Sequence, residues 1–180
     1  MLCAFVILNT ILTCIVYLLA NHFTYVKGSD CKELPLKDLL HDVLPNLSNN
    51  VSIRDVILLL FLIPFVIVKN KISFLNELWT VFMIVVLIKA VCIFFTIIPS
   101  SHPRCFEKKY VNHCFHNSIS GHAGFFLLLA LLYIRHGVFN EYILIFAGLY
   151  GLLIVMTRAH YTVDVITALI VTYLLFKQLI

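Results

Sequence analysis

Charge is what this sequence has least of: only 12% of its 180 residues are Asp, Glu, Lys or Arg. The net charge of +4 is spread through polar stretches and never forms a basic run. That distribution excludes a nucleic-acid-binding protein. There is no low-complexity segment and no internal repeat, which excludes a disordered tail or a repeat array. The N-terminal stretch MLCAFVILNTILTCIVYLLA lacks a basic n-region and a small-residue cleavage pattern. It therefore reads as a retained first membrane span and not as a removed signal peptide.

Apolar surface is abundant instead. Hydrophobic residues make up 62% of the chain, with a mean hydropathy of +1.01. No water-soluble domain of this length needs so much, so a polytopic membrane protein is expected. A spanning helix takes about 20 largely apolar residues. Six segments approach that length: 2–20, 55–69, 78–98, 121–135, 142–157 and 162–178. The expected fold is an all-α, six-transmembrane-helix bundle forming one domain over 1–180. The second span is short and carries Pro64, so it is expected to be tilted, kinked or longer than these bounds.

Two long polar stretches, 21–54 and 99–120, and the short turn at 158–161 would share one side of a six-span bundle. Cations are more numerous on that side, which favours the cytosol. Two glycosylation sequons, Asn46-Leu-Ser48 and Asn50-Val-Ser52, favour a lumen instead. The residues alone leave the orientation open. Cys3, Cys14 and Cys92 fall in apolar runs, where packing is their expected role. Cys105 and Cys114 would form a disulfide if their side is oxidising.

The stretch RAHYTVDV, residues 158–165, keeps an Arg, a His and an Asp between two oily runs. His160 and Asp164 are four apart, a spacing that puts them on one face of a helical turn, where the carboxylate can orient the imidazole. A structural hydrogen bond would explain that pair equally well. In NSISGHAGFF, Ser120-Gly121-His122 stands at a loop-to-helix junction. Ser120 can cap the helix, Gly121 lets a ligand approach the backbone, and the helix N-terminus suits a phosphate. His122 opens on the same expected face as His160. Two histidines, one backed by Asp164, are the set required for phosphoryl transfer through a phospho-histidine.

Lys89 sits mid-span in the third expected span, roughly 15 Å of helix from either end. Snorkelling to water is difficult there, and an inward role near a phosphate or an acidic partner is expected. Arg158 can neutralise phosphate oxygens or anchor the interface. His116 and Asn117 are candidate head-group contacts. The HCFH stretch, 113–116, lacks a convincing second pair of ligands, so no metal site is expected. Trp79 and the tyrosines near span ends read as interfacial anchors.

The segments CFHNSISGH (114–122) and HYTVDV (160–165) resemble the sphingomyelin synthase family, a branch of the PAP2-type lipid phosphatase and phosphotransferase superfamily. LPLKDLLHDVLP (34–45) and LIKAVCIFFTIIP (87–99) resemble further segments of that family. The resemblance implies a catalytic triad of His122, His160 and Asp164, with no cofactor. It implies a glycerophospholipid donor, a ceramide acceptor, and a site opening to the lumenal or exoplasmic leaflet of the Golgi, endoplasmic reticulum or plasma membrane. After Cys114 this chain has Phe115-His116-Asn117, where the family has a Gly and an acidic residue. The head group (choline, ethanolamine or inositol) is therefore open, as is homo-oligomer formation. The alternatives are a lipid phosphatase of the same superfamily, although its usual K-x6-RP motif is absent, and a non-enzymatic scaffold.

Overall fold

A computed structural model describes residues 2–28, 36–96, 98–100 and 118–180. Every regular element among the described residues is helical. In chain order they are α1 (Leu2–Gly28), α2 (Leu39–Val43), α3 (Ser52–Leu60), α4 (Lys71–Phe95), α5 (Gly121–Arg135), α6 (Ile143–Met156) and α7 (Thr162–Leu179). Short 3-10 turns follow α2 at Ser48–Asn50 and α3 at Ile63–Ile67.

Helix α5 is the centre of the fold. Its sequence GHAGFFLLLALLYIR is apolar around nearly the whole circumference, and Phe126 through Tyr133 are all buried. It packs against α4, α6 and α7, while α1 lies against α4. Ser120 caps its N-terminus, with Oγ accepting the Ala123 N–H at 3.3 Å. The outer helices bury only narrow stripes. In α7 the stripe is Asp164, Val165, Ala168 and Thr172, whereas Val163, Ile166, Ile170 and Leu174 face outward. An exterior of leucine, isoleucine and valine around buried polar groups suits lipid as solvent.

By length and composition, two helices can cross a membrane, Lys71–Phe95 and Thr162–Leu179. The other apolar helical stretches described are shorter: Asn9–Phe23, Gly121–Arg135 and Ile143–Met156. Boundaries expected for the last three spans agree with α5, α6 and α7 to within a residue or so. The second expected span, 55–69, is not one helix. It is α3 followed by a 3-10 turn containing Pro64, because proline has no N–H to continue the ladder. The third expected span, 78–98, instead begins at Lys71, where Asn70 Oδ1 accepts the Ser73 N–H at 3.1 Å. The mixed stretch 71–77, with Phe74 buried in the core, forms the first two turns of α4 instead of a loop.

This earlier start moves Lys89 away from mid-span. It is six residues from the end of α4, about 9 Å of helix. Trp79 is likewise well inside α4, donating to Thr10 Oγ1 of α1 at 2.9 Å.

Polar pairs mark the two ends of the bundle. At one end, Glu77 of α4 meets Arg135 and His136 beyond α5, each at 3.2 Å. At the other, short α2 is strapped across the start of α7. Asp38 accepts from the Thr162 backbone N–H at 2.6 Å and from its hydroxyl at 2.8 Å. It also caps α2 through the Leu40 N–H at 3.0 Å. Burial works to raise the Asp38 pKa, but the Thr162 donors and nearby His41 outweigh it and hold it below the usual aspartate value.

Two stability outcomes are expected in detergent. A Cβ at Gly124 would stand 2.8 Å from the buried Thr172 Oγ1, so Gly124→Ala should lower the thermal midpoint although alanine favours helix. Adding Thr172→Ala should recover most of the loss; an unchanged Gly124→Ala midpoint would show that α5 and α7 are not tightly apposed here. Asp38→Ala should cost about 1–3 kcal/mol at neutral pH. Because the folded pKa is depressed, the Asp38 contribution is present above the unfolded pKa and is lost as pH falls through the folded one. The gap between wild type and Asp38→Ala should therefore close in acid.

Candidate active site

The chain leaves α6 through a tight reversal that delivers His160 to the start of α7. Thr157 N–H donates to Leu153 O at 2.9 Å, and Arg158 N–H to Val155 O at 3.0 Å. Arg158 then takes φ of 57°, a left-handed conformation that costs a non-glycine residue about 1–2 kcal/mol. Its side chain explains why arginine stands there. Nη2 donates to the carbonyl oxygens of His41 and Leu44, the latter at 3.2 Å, tying α2 to the reversal. Glycine would relieve the backbone but could not make those bonds.

His160 is buried, and its Nδ1 lies 3.3 Å from Asp164 Oδ2. With the carboxylate as acceptor, Nδ1 carries the proton and Nε2 keeps its lone pair. Asp164 is 2% exposed and occupies the first turn of α7, where the helix dipole supports its charge. The same Oδ2 accepts the Tyr161 N–H at 3.2 Å. Burial lowers the His160 pKa below the ordinary imidazole value. The Asp164 hydrogen bond opposes this, and the positive charges of Lys89 and Arg54 add to it. The imidazole is thus neutral at neutral pH, the form a nucleophile needs.

The SGH junction is joined directly to this element. Ser120 N–H donates to the Asp164 main-chain oxygen at 3.2 Å. That bond brings the starts of α5 and α7 together and sets His122 near His160, within electrostatic reach of it and of Lys89. Lys89 Nζ approaches the position of a Gly121 Cβ at 3.8 Å, so the lysine lies over the backbone at the start of α5. His122 Nε2 lies 3.3 Å from Asp55 Oδ1, and Asp55 also meets Arg54 Nε at 3.0 Å.

A groove of about 610 Å³ opens from His122, Gly121 and Lys89. Beyond those residues its walls are Tyr17, Leu58, Leu78, Trp79, Phe82 and Val85, contributed by α1, α3 and α4. Its size is ordinary for a small-molecule pocket, but its lining is almost wholly apolar apart from the one end.

Of the residues singled out from sequence, the structure gathers Lys89, Ser120, Gly121, His122, His160 and Asp164 at one end of the bundle. Arg158 adjoins them, but two of its hydrogen bonds go to carbonyls of the α2 segment. His116, Asn117, Cys105 and Cys114 lie outside the described residues. Among the described residues, no group of three or more His, Cys, Asp or Glu is placed to hold a metal ion.

Several residues at the site were not singled out from sequence. Asp55 and Arg54 meet His122 from α3, and their only signal was a charge pair opening an apolar run. His41 Nε2 donates to the His160 carbonyl at 3.2 Å, and its ring stacks on Tyr161 at 5.8 Å between centroids. Burial lowers the His41 pKa, against the pull of Asp38. Tyr161 Oη donates to Pro99 O at 2.9 Å and accepts from the Leu36 N–H at 3.0 Å. It thereby fastens the segments after α4 and before α2 to the start of α7.

Comparison with known proteins adds a single family match. Residues 113–179 match the family model described as PAP2 superfamily C-terminal, a stretch that contains His122, His160 and Asp164. No curated protein and no solved structure matches the chain. The family match supports a relationship to the PAP2-type lipid phosphatases and phosphotransferases through the part of the chain that carries both histidines.

Proposed function

We propose that this chain is a membrane-embedded lipid phosphotransferase acting through a phospho-histidine. In its most specific form, it moves a phospho-head group, phosphocholine first among the candidates, from a glycerophospholipid to ceramide. The observation that carries this reading is that His122 and Lys89 line the polar mouth of an apolar groove, with the buried His160–Asp164 pair within electrostatic reach of both. A lipid phosphate in that mouth would meet a proton donor and a cation, with the nucleophile next to them, while its hydrocarbon stays out of water. The proposed bundle is one domain crossing the membrane six times, with α3 and its 3-10 turn as a broken second crossing and the site facing the lumenal or exoplasmic leaflet.

Each group has a role in two balanced half-reactions. His160 Nε2 attacks the donor phosphorus while Asp164 holds the proton on Nδ1 and balances the charge that develops on the ring. As the P–N bond forms, the P–O bond to the glyceryl oxygen breaks. His122 gives that oxygen a proton, and diacylglycerol leaves. The acceptor hydroxyl then attacks the phospho-histidine, His122 takes its proton, and P–N cleavage restores His160. Lys89 stabilises the phosphoryl oxygens throughout. With ceramide as acceptor the product is a phosphosphingolipid.

The second reading is a lipid phosphate phosphatase, in which water replaces the acceptor hydroxyl. The match to the PAP2 model supports both readings equally. The missing K-x6-RP motif favours the transferase.

The test is a product assay on membranes of a host without such activity. Labelled ceramide is supplied with phosphatidylcholine, phosphatidylethanolamine or phosphatidylinositol. A labelled phosphosphingolipid from wild type, reduced at least about 100-fold in His160→Ala at equal protein abundance, is the expected result. Phosphate release from phosphatidic acid without a ceramide product would establish the phosphatase instead. No His160-dependent turnover of either kind would overturn both. Since burial depresses the His160 pKa, protonation should silence the nucleophile only at low pH. The acid limb of kcat/KM should therefore lie below the usual histidine value of about 6.5.

A further inference from the structure

The proton-exchanging histidine has a carboxylate partner of its own. His122 Nε2 stands 3.3 Å from Asp55 Oδ1 of α3, a carboxylate separate from the Asp164 that holds His160. Asp55 is not loosely placed. It lies in the first turn of α3, where the helix dipole favours an anion. Arg54 Nε holds its Oδ1 at 3.0 Å, and the Arg54 carbonyl accepts from Tyr150 Oη of α6 at 3.1 Å. The start of α3 is thus braced against α6, and the half-exposed Asp55 is presented to His122 from there.

The charges around His122 make that carboxylate consequential. Lys89 faces it from α4, Arg54 and Asp55 from α3, and His160 from the turn before α7. Lys89 and Arg54 are cations, His160 can become one, and the negative charge of Asp164 is committed to His160. An imidazole that must carry a proton to a leaving oxygen needs an anion beside it in such surroundings. Among the described residues, Asp55 is the carboxylate that makes an ion pair with His122.

We propose that Asp55 is the positioning residue of His122: it orients the imidazole and balances its charge, so that each of the two histidines works with its own aspartate. The His160–Asp164 pair keeps a neutral ring as nucleophile, and the His122–Asp55 pair keeps a ring that accepts and releases a proton. The assignment of proton exchange to His122 rests on the phosphotransferase reading, whereas the pairing itself rests on the geometry of α3 and α5.

The experiment separates those two dependencies. Protein labelled with carbon-13 in its histidine rings is titrated by NMR in detergent micelles, and the His122 signal is identified by its loss in His122→Asn. Asp55→Asn should lower the His122 midpoint by about one pH unit or more, and Asp55→Glu should restore most of it. In the lipid-product assay, Asp55→Asn should lower kcat about tenfold or more, leave KM little changed, and move the basic limb to lower pH. The direction follows because the first half-reaction needs protonated His122, and loss of the anion makes that form harder to hold. An unchanged His122 midpoint in Asp55→Asn overturns the proposal, whatever the activity. A shifted midpoint in protein that turns over no lipid supports the pairing and overturns the phosphotransferase reading instead. A loss of turnover that Asp55→Glu cannot rescue, with the midpoint unmoved, assigns Asp55 a purely structural role and also overturns the proposal.

Discussion

The arrangement depends on Asp164 more than on any other residue. Its carboxylate holds His160 and the Tyr161 N–H, while its main-chain carbonyl receives the Ser120 N–H. One residue therefore orients the His160 ring, closes the N-terminus of α7 and joins it to the N-terminus of α5. Burying an aspartate at 2% exposure is costly unless donors meet its oxygens. Here the carboxylate is met by local donors, His160 and the Tyr161 N–H, while the main-chain carbonyl of the same residue takes the bond from α5, so one residue serves both purposes.

The rest of the bundle sets the conditions under which that arrangement matters. Helix α5 fills the interior with leucine and aromatic side chains, and α4 and α7 turn apolar faces outward. Polar groups are thereby concentrated at the two ends of the bundle. At one end Glu77, Arg135 and His136 tie α4 to the end of α5. At the other, Lys89 comes from α4, Arg54 and Asp55 from α3, and the two histidines from the starts of α5 and α7. The groove between α1, α3 and α4 leads to that second end.

Strain and strapping complete the picture. Arg158 holds a left-handed backbone in order to turn the chain sharply from α6 into His160, and its guanidinium repays the distortion by binding the α2 carbonyls. Asp38, His41 and the Leu36 N–H add bonds from the same short segment to Thr162, the His160 carbonyl and Tyr161 Oη. His160 is thus held on one side by Asp164 and on another by a strap whose residues come from a region about 120 positions earlier in the chain. A residue in a sparsely populated conformation persists only where its surroundings over-determine it, and these do.

Much of this was legible beforehand because it is local. The 15-residue apolar run of α5, the Ser120 cap and the four-residue spacing of His160 and Asp164 are written within one or two helical turns, and short-range periodicity reads them well. Pro64 announced the break after α3 for the same reason. The start of α4 was misplaced because Lys71, Ser73, Asn76 and Glu77 are interleaved with Ile72, Phe74 and Leu75 in its first turns, so the mean hydropathy there is low although the helix continues. Lys89 looked mid-span as a consequence. Asp38, His41, Arg54 and Asp55 were unreadable as site residues, since nothing in their own neighbourhoods says which distant side chain they will meet. By itself, then, the sequence determined the helices, their apolar faces and the chemical pair on the first turn of α7. Only the tertiary structure decided which charges surround that pair, because those depend on packing between helices far apart in the chain.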